Sequence, residues 1–520
     1  MSSVDRLRPD GTTRPIALPQ WYARFDAARS PRVGGDDTLR VGPFTVARAE
    51  SGCEVATGGD PADPTVVIFD GYLFDRRRLR TEFGLASTAP DAEIALAVFE
   101  RLGPGALDRL DGSYLVAHWN PRERRLILGH DALGHHPVYY AELSGALWFT
   151  ANVLALPAAG IVDRRPNRVS LAMAALLYWP PAGETFFEQV KRLRPGHYLA
   201  VTPNGHRTES FYWTPYPDDD DPGLTAREAW DQFEPTLVGS IDRCMELAPD
   251  GIMLSGGLDS VTIAALAAEY AARHHTPLIC AISGRRDSPR ADEEPMQSAT
   301  AEALGMRHIV AYESQWQRGQ SGVDLSLACA PELPGPSRIS WVGAYIEFYR
   351  LAVSEGVHVA LTGSGGDNWA GIDDSFAAQA MRTFQWRAVA RHMASWMGTG
   401  GMSLRKAALH MLWSGGVRLI LDSHAARHFP SLKRRYHEWR AVSAQPDWLC
   451  PDRELKQALG EALYRQRPAA LSKEGRVPKN FYRHAPRAQT NPYYQYEYEV
   501  AFHIDSSCGL CLLSPYHDKQ

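Results

Sequence analysis

The sequence predicts an α/β protein of two unlike halves: an antiparallel, β-rich α+β domain, then a parallel-sheet α/β domain whose last part is helical. Three observations carry this. As far as about residue 210, short β-rich runs alternate with turn signals. Around 212–223 the chain turns rich in Pro, Asp and Gly, with consecutive aspartates from Asp218 to Asp221. Beyond that point short apolar runs alternate with stretches of helical period, the order that builds a parallel sheet. A chain of 520 residues also exceeds what one hydrophobic core sustains. We therefore place a first domain at 1–210, a linker at 211–224 and a second domain at 225–520.

In the first domain Thr65–Phe69 (TVVIF) precedes Asp70 and Gly71, Ser113–Trp119 follows Asp111 and Gly112, and Arg125–Leu128 precedes Gly129, each reading as a strand beside a turn. Between them Asp91–Leu102 carries apolar residues at helical spacing and stops at Gly103 and Pro104. In the second domain Ala226–Leu247 reads as a helix and Gly251–Leu254 as a short buried strand that runs straight into Ser255. Further strands are expected at Leu278–Ser283, His308–Ala311 and Val357–Thr362, separated by helices at 291–304 and 341–354. From about 376 to 490 the pattern is mainly helical, with no repeat of fixed period.

Composition narrows the function. At 44% hydrophobic, 22% charged and a net charge of −5, the chain is ordinary for a globular protein and does not resemble a binder of nucleic-acid backbone. The basic clusters Arg76–Arg80 and Lys433–Arg435 read as solvated helix faces. The first twenty residues lack the apolar core of a signal peptide, and no window approaches the roughly 18–20 apolar residues of a membrane span, so the expected location is cytoplasmic with no membrane partner. Seven cysteines scattered from Cys53 to Cys511 suit a reduced chain better than a disulfide framework. Cys508 and Cys511 have no second pair to complete a zinc site and read as incidental.

The chemistry concentrates at Ser255, Gly256, Gly257, Leu258, Asp259 and Ser260, where a strand ends and a helix begins. Free backbone N–H groups and the helix dipole together favour an anion at such a place. The glycines allow the backbone to approach phosphate oxygens closely, and Ser255 and Ser260 offer hydroxyls. Asp259 is a poor neighbour for phosphate unless a cation lies between them, so its carboxylate predicts bound Mg²⁺. There is no Gly-Lys-Ser/Thr of a Walker loop. A second turn, Gly363, Ser364, Gly365, Gly366 and Asp367, also follows a strand and ends in an acid, which suggests a neighbouring strand of the same sheet.

Ser255–Ser260 resembles the pyrophosphate loop of the ATP pyrophosphatases, and Leu361–Asp367 resembles a segment of the asparagine synthetases and the β-lactam synthetases. The segments 111–119, 130–140 and 191–197 resemble the same family's glutaminase-type domain. The resemblance implies a first domain of class II glutamine amidotransferase type, a second domain of ATP pyrophosphatase type, and ATP with Mg²⁺ as cofactors. It makes Asp259 and Asp367 the metal pair, sets Asp292 and Glu293 near the nucleotide, and makes Ser255–Ser260 with Gly363, Gly365 and Gly366 the nucleotide cradle. Ser364 stands at the catalytic position that is glutamate in asparagine synthetases and tyrosine in β-lactam synthetases.

Departures from the family direct the finer expectation. Glutamine-dependent members expose an N-terminal cysteine, whereas here Met1 is followed by Ser2 and Ser3, and the first cysteine is Cys53. The first domain is therefore expected to be inactive, as in the lasso-peptide macrolactam synthetases and β-lactam synthetases, whose amine belongs to the substrate. The segment Ser514–Gln520 resembles one after which family members continue, so the chain is expected either to be truncated or to take its basic residue from Lys473 or Lys479. The reading is a ligase that adenylates a carboxylate and joins it to an amine of the same substrate, with lasso-type closure preferred. β-Lactam closure, ammonia-dependent asparagine synthesis and an inactive scaffold are the alternatives. Its partners would be a peptide or a small carboxylate and amine, with a precursor peptide and its protease in the lasso case.

Overall fold

A computed structural model describes residues 21–26, 38–47, 53–202, 205–214, 225–285, 293–317, 319–337, 341–367, 375–399, 403–421, 452–465 and 492–519, with short pieces between 428 and 450. Most of the Asp-rich linker, Asp292, Lys473 and Lys479 lie outside the described residues.

Among the described residues twelve strands build the first half: β1 (Tyr22–Phe25), β2 (Thr38–Val41), β3 (Phe44–Ala47), β4 (Glu54–Gly58), β5 (Thr65–Leu73), β6 (Gly112–Asn120), β7 (Arg125–His130), β8 (Tyr139–Leu143), β9 (Ala146–Thr150), β10 (Lys191–Arg192), β11 (His197–Val201) and β12 (Arg207–Phe211). They form two six-stranded sheets in the orders β10-β8-β9-β1-β3-β2 and β12-β11-β7-β6-β5-β4. The central strand β5 shows why its apolar run is unbroken. Val66 and Ile68 face the sandwich core with Trp21, Phe44 and Phe149, whereas Val67 and Phe69 face the helix Asp91–Leu102 through Ile94 and Phe99. Both faces are covered, so both alternating sets are apolar. That helix has the bounds its periodicity predicts.

One expectation is corrected here. Asp70 with Gly71, and Gly112, are not turns but lie inside β5 and β6. The reason is a close approach of two backbones: a Cβ on Gly71 would lie 2.1 Å from the Ser113 carbonyl oxygen, and one on Gly112 2.1 Å from that of Tyr72. Gly129 likewise falls within β7.

The second half is a five-stranded parallel sheet of β13 (Gly251–Met253), β14 (Cys280–Arg285), β15 (His308–Tyr312), β16 (Val359–Thr362) and β17 (Cys511–Leu513), in the order β15-β14-β13-β16-β17. After β13 the chain winds outward one way through β14 and β15, then returns to place β16 on the other side. The switch point, where ligands gather in such sheets, therefore lies between β13 and β16. Asp250 fixes their register by accepting from the His358 and Val359 amides at 2.9 and 3.0 Å. Gly251 then lies opposite Ala360 and Met253 opposite Thr362, so the turns that follow the two strands leave the sheet at one level.

Helices Ala226–Met245, Leu258–His274, Glu294–Leu304 and Val342–Ser354 flank the sheet. The first begins with a capping box between Thr225 and Glu228. The helical region beyond includes Ser375–Arg382, Trp386–Thr399, Leu404–Ala408, a π-helical Leu409–Val417 and Arg453–Arg465. Helix Pro492–Cys508 then returns to deliver β17. No described helix is long and apolar enough to cross a membrane. All seven cysteines are free, Cys508 at the end of a helix and Cys511 at the start of β17.

Candidate active site

The first turn owes its shape to its own residues. Gly256 has φ +82°, and a Cβ there would press on Gln297 and on the Glu293 carbonyl. Gly257 is the N-cap of the following helix, and Asp259 lies in its first turn without capping it. Ser260 is buried and already engaged: its Oγ accepts from the Ser255 amide at 3.2 Å, lies 3.0 Å from Ser255 Oγ, and donates to the Gly257 carbonyl at 3.1 Å. Its hydroxyl therefore braces the turn, while Ser255 and Leu258 are exposed at the surface. Two further residues hold the turn from outside. Buried Gln297 donates to the Ser255 carbonyl at 3.1 Å, and buried Ser283 donates to that of Leu254 at 2.8 Å. Neither has a local sequence signal, because each acts across some thirty to forty positions.

The second turn packs directly on the first. A Cβ on Gly363 would lie 2.8 Å from the Ser260 amide nitrogen, and one on Gly366 2.3 Å from Asp259 Cγ. The Asp259 carboxylate thus rests on the Gly366 backbone, next to Asp367. Burial, and then the charge of Asp367, push Asp259 up from the ordinary carboxylate value. The two acids thus share one small region. Gly365, at φ +101°, lies against the Tyr516 and His517 side chains, so a third segment closes the group. Asp367 and Ser364 are exposed, and the Ser364 amide donates to Thr362 Oγ1 at 3.3 Å. Of the predicted residues, Ser255–Ser260 and Gly363–Asp367 therefore come together.

These residues fit a hydrated magnesium ion bound with phosphate. Among the described residues no group of three or more His, Cys, Asp or Glu could hold a metal by itself. Two carboxylates beside a glycine backbone leave the remaining positions to phosphate oxygens and water, as magnesium prefers.

A cavity of about 250 Å³ runs from this second turn into the junction of the two domains, with Thr362 and Ser364 at one side and Gly71, Ser113 and Asp505 among its walls. A larger concavity of about 630 Å³ beside β3 touches neither turn. Inside the first domain, Asp70 is buried and accepts from Trp21 Nε1 at 2.8 Å, with His136 Nε2 at 3.3 Å. Cys53 is buried nearby, and burial followed by the charge of Asp70 pushes its thiol up to about 12. It is a core residue and not a thiolate.

Comparison with known proteins agrees with this architecture. Residues 60–213 match the family described as glutamine amidotransferase domain, and residues 232–491 match the one described as asparagine synthase. The chain is 27% identical over 341 residues to the amidase chyE of Penicillium rubens, covering 60% of this chain and 48% of that protein. It is 24% identical over 332 residues to asparagine synthetase [glutamine-hydrolyzing] 2 of Bacillus subtilis, covering 59% and 42%. The chain thus spans just under half the length of these curated relatives. A solved glutamine phosphoribosylpyrophosphate amidotransferase from B. subtilis is 11% identical with a TM-score of 0.25, over 56% of this chain and 60% of that one. With half of its length matching that family, and two acid-ended glycine turns at the switch point of a parallel sheet, the chain belongs to the asparagine synthase family.

Proposed function

We propose that this chain is an ATP-dependent ligase that forms an amide bond, in which a substrate carboxylate attacks the α-phosphate of ATP and an amine then displaces AMP. The observation that carries this reading is the packing of the Asp259 carboxylate on Gly366 beside Asp367. Magnesium held by the two aspartates would neutralise charge on the departing pyrophosphate. The turns Ser255–Ser260 and Gly363–Asp367 supply backbone donors fixed in advance by Ser260, Gln297 and Ser283, so little reorganisation is needed when charge moves. Ser364 sits where the cradle meets the interdomain cavity, a position suited to orienting the acyl group.

The first domain serves as a platform in this reading. The buried, raised Cys53 thiol is unsuited to releasing ammonia from glutamine, which supports an amine carried by the substrate over one released in the first domain, with free ammonia as the alternative. Within that class we favour closure of a peptide macrolactam of the lasso type over β-lactam closure. The helical region leaves the large apolar side chains of Phe384, Trp386, Leu409 and Trp413 exposed, which suits a peptide better than a small amino acid.

The test is nucleotide chemistry with Mg²⁺ and candidate carboxylates. AMP and pyrophosphate are expected, not ADP and phosphate. Asp259→Asn and Asp367→Asn are each expected to lower turnover on the order of 10²- to 10³-fold. The double variant should be scarcely worse than either one, because both act through one ion. A fully active Asp259→Asn enzyme would refute the metal role. A linear peptide with a free N-terminal amine and an internal Asp or Glu should lose the mass of one water. Success with small β-amino acids alone would move the assignment to β-lactam closure.

A further inference from the structure

The cavity at the domain junction contains a carboxyl group that the rest of the protein leaves unanswered. Asp505, on helix Pro492–Cys508, lines it, and its Oδ1 is sealed from solvent without a hydrogen-bond partner. Among the described residues no Lys or Arg contributes to the cavity wall. The basic side chains present are His135, His136 and His517. Burial holds His135 below the ordinary imidazole value, and burial with His135 holds His517 well below it. A carboxyl partly withdrawn from water, with no cation beside it among the described residues, either keeps its proton or gains from a cation that a ligand brings. Tyr349, Tyr498 and Phe502 also share the wall, Tyr498 packed on His135 and Phe502 on His136. One side of the space ends at Thr362, the last residue of β16, and at Ser364, in the turn that packs on Asp259.

We infer that this cavity binds a primary ammonium group, the amine end of the substrate, with the Asp505 carboxylate as its counter-ion. The assignment of the ammonium to the substrate rests on the ligase reading, because it brings the amine to the turn beside which the acyl group would be activated. The cavity volume of about 250 Å³ admits an ammonium with its alkyl stem. Burial raises Asp505 well above the ordinary carboxylate value, and an entering cation would favour the ionised form.

The experiment uses n-butylammonium chloride as probe and butan-1-ol as its neutral counterpart, titrated calorimetrically into the full chain. Butylammonium is expected to bind the wild type and to bind Asp505→Asn at least tenfold more weakly. Butan-1-ol should distinguish the two by less than twofold. Absence of butylammonium binding to the wild type, equal binding to both proteins, or butan-1-ol binding as tightly as the cation would each overturn the inference. The wild-type comparison of cation with alcohol needs no variant to fold. Carboxylate-dependent ATP–pyrophosphate exchange on the same samples separates the two proposals. Exchange that persists without any ammonium preference refutes the cavity assignment alone. Ammonium binding that depends on Asp505, in a protein with no exchange, refutes the ligase reading and leaves the ammonium site standing.

Discussion

His118 illustrates how a single side chain sets the response to acid. Its ring stacks on Phe99 at 4.5 Å between centroids, and both ring nitrogens are buried without a partner. Burial, reinforced by Arg125, pushes it down to about 4. In the unfolded chain it takes a proton near 6.5, in the folded one only near 4. The unfolded state therefore binds more protons between these values. The stability this residue contributes is complete above pH 6.5 and is lost as pH falls through 4, by about 3 kcal/mol in all. His118→Phe keeps the stacking and abolishes the titration. Urea unfolding should show a smaller loss of stability from pH 7 to pH 5 in that variant than in the wild type, and equal losses would contradict the account.

At the level of elements, the candidate site is two turns held at one height by two paired strands. Gly366→Ala tests that packing. Its backbone tolerates alanine, but the new Cβ would fall 2.3 Å from Asp259 Cγ and must displace the carboxylate. The Mg²⁺ concentration for half-maximal pyrophosphate exchange is expected to rise at least tenfold with the thermal midpoint nearly unchanged, and an unaltered metal requirement would count against the shared ion. Both turns were legible in the sequence, because a strand, closely spaced glycines and an acid are a local pattern. What brings them together was not. Asp250 bonds to amides 108 and 109 positions away, and Gln297 braces Ser255 from 42. The same limit explains the strands that were missed. Tyr22–Phe25 is four residues long and makes sense only once β3 and β9 flank it. Gly71 and Gly112 read as turns because a close approach of two backbones calls for the same residue type as a turn.

Across the whole molecule, the two domains are joined by buried polar contacts. Arg243, on helix Ala226–Met245, donates to Asp111 Oδ2 at 2.7 Å, pairs with Asp75 and Asp518, and lies over the Phe74 ring. Arg192 of β10 meets Glu499 at 3.0 Å, both about 2% exposed. Gln495 donates to the Leu193 carbonyl, and Lys519 to those of Asp108 and Leu110. Removing one partner from such a cluster leaves charge uncompensated. Arg243→Leu should therefore cost about 3–5 kcal/mol, visible in calorimetry as a lower midpoint and a split of one transition into two. A single unchanged transition would show that the domains are coupled by other contacts.

The edge strand β17 has a consequence in time. Leu512 and Leu513 pair with Ala360 and Leu361, and the Tyr516 and His517 that follow wall in Gly365. A nascent chain on the ribosome carries both glycine turns for well over a hundred further residues before the strand and wall that seat the second one have been made. The cradle is thus completed only once Tyr516 and His517 have been made, and until then the second turn lacks its wall.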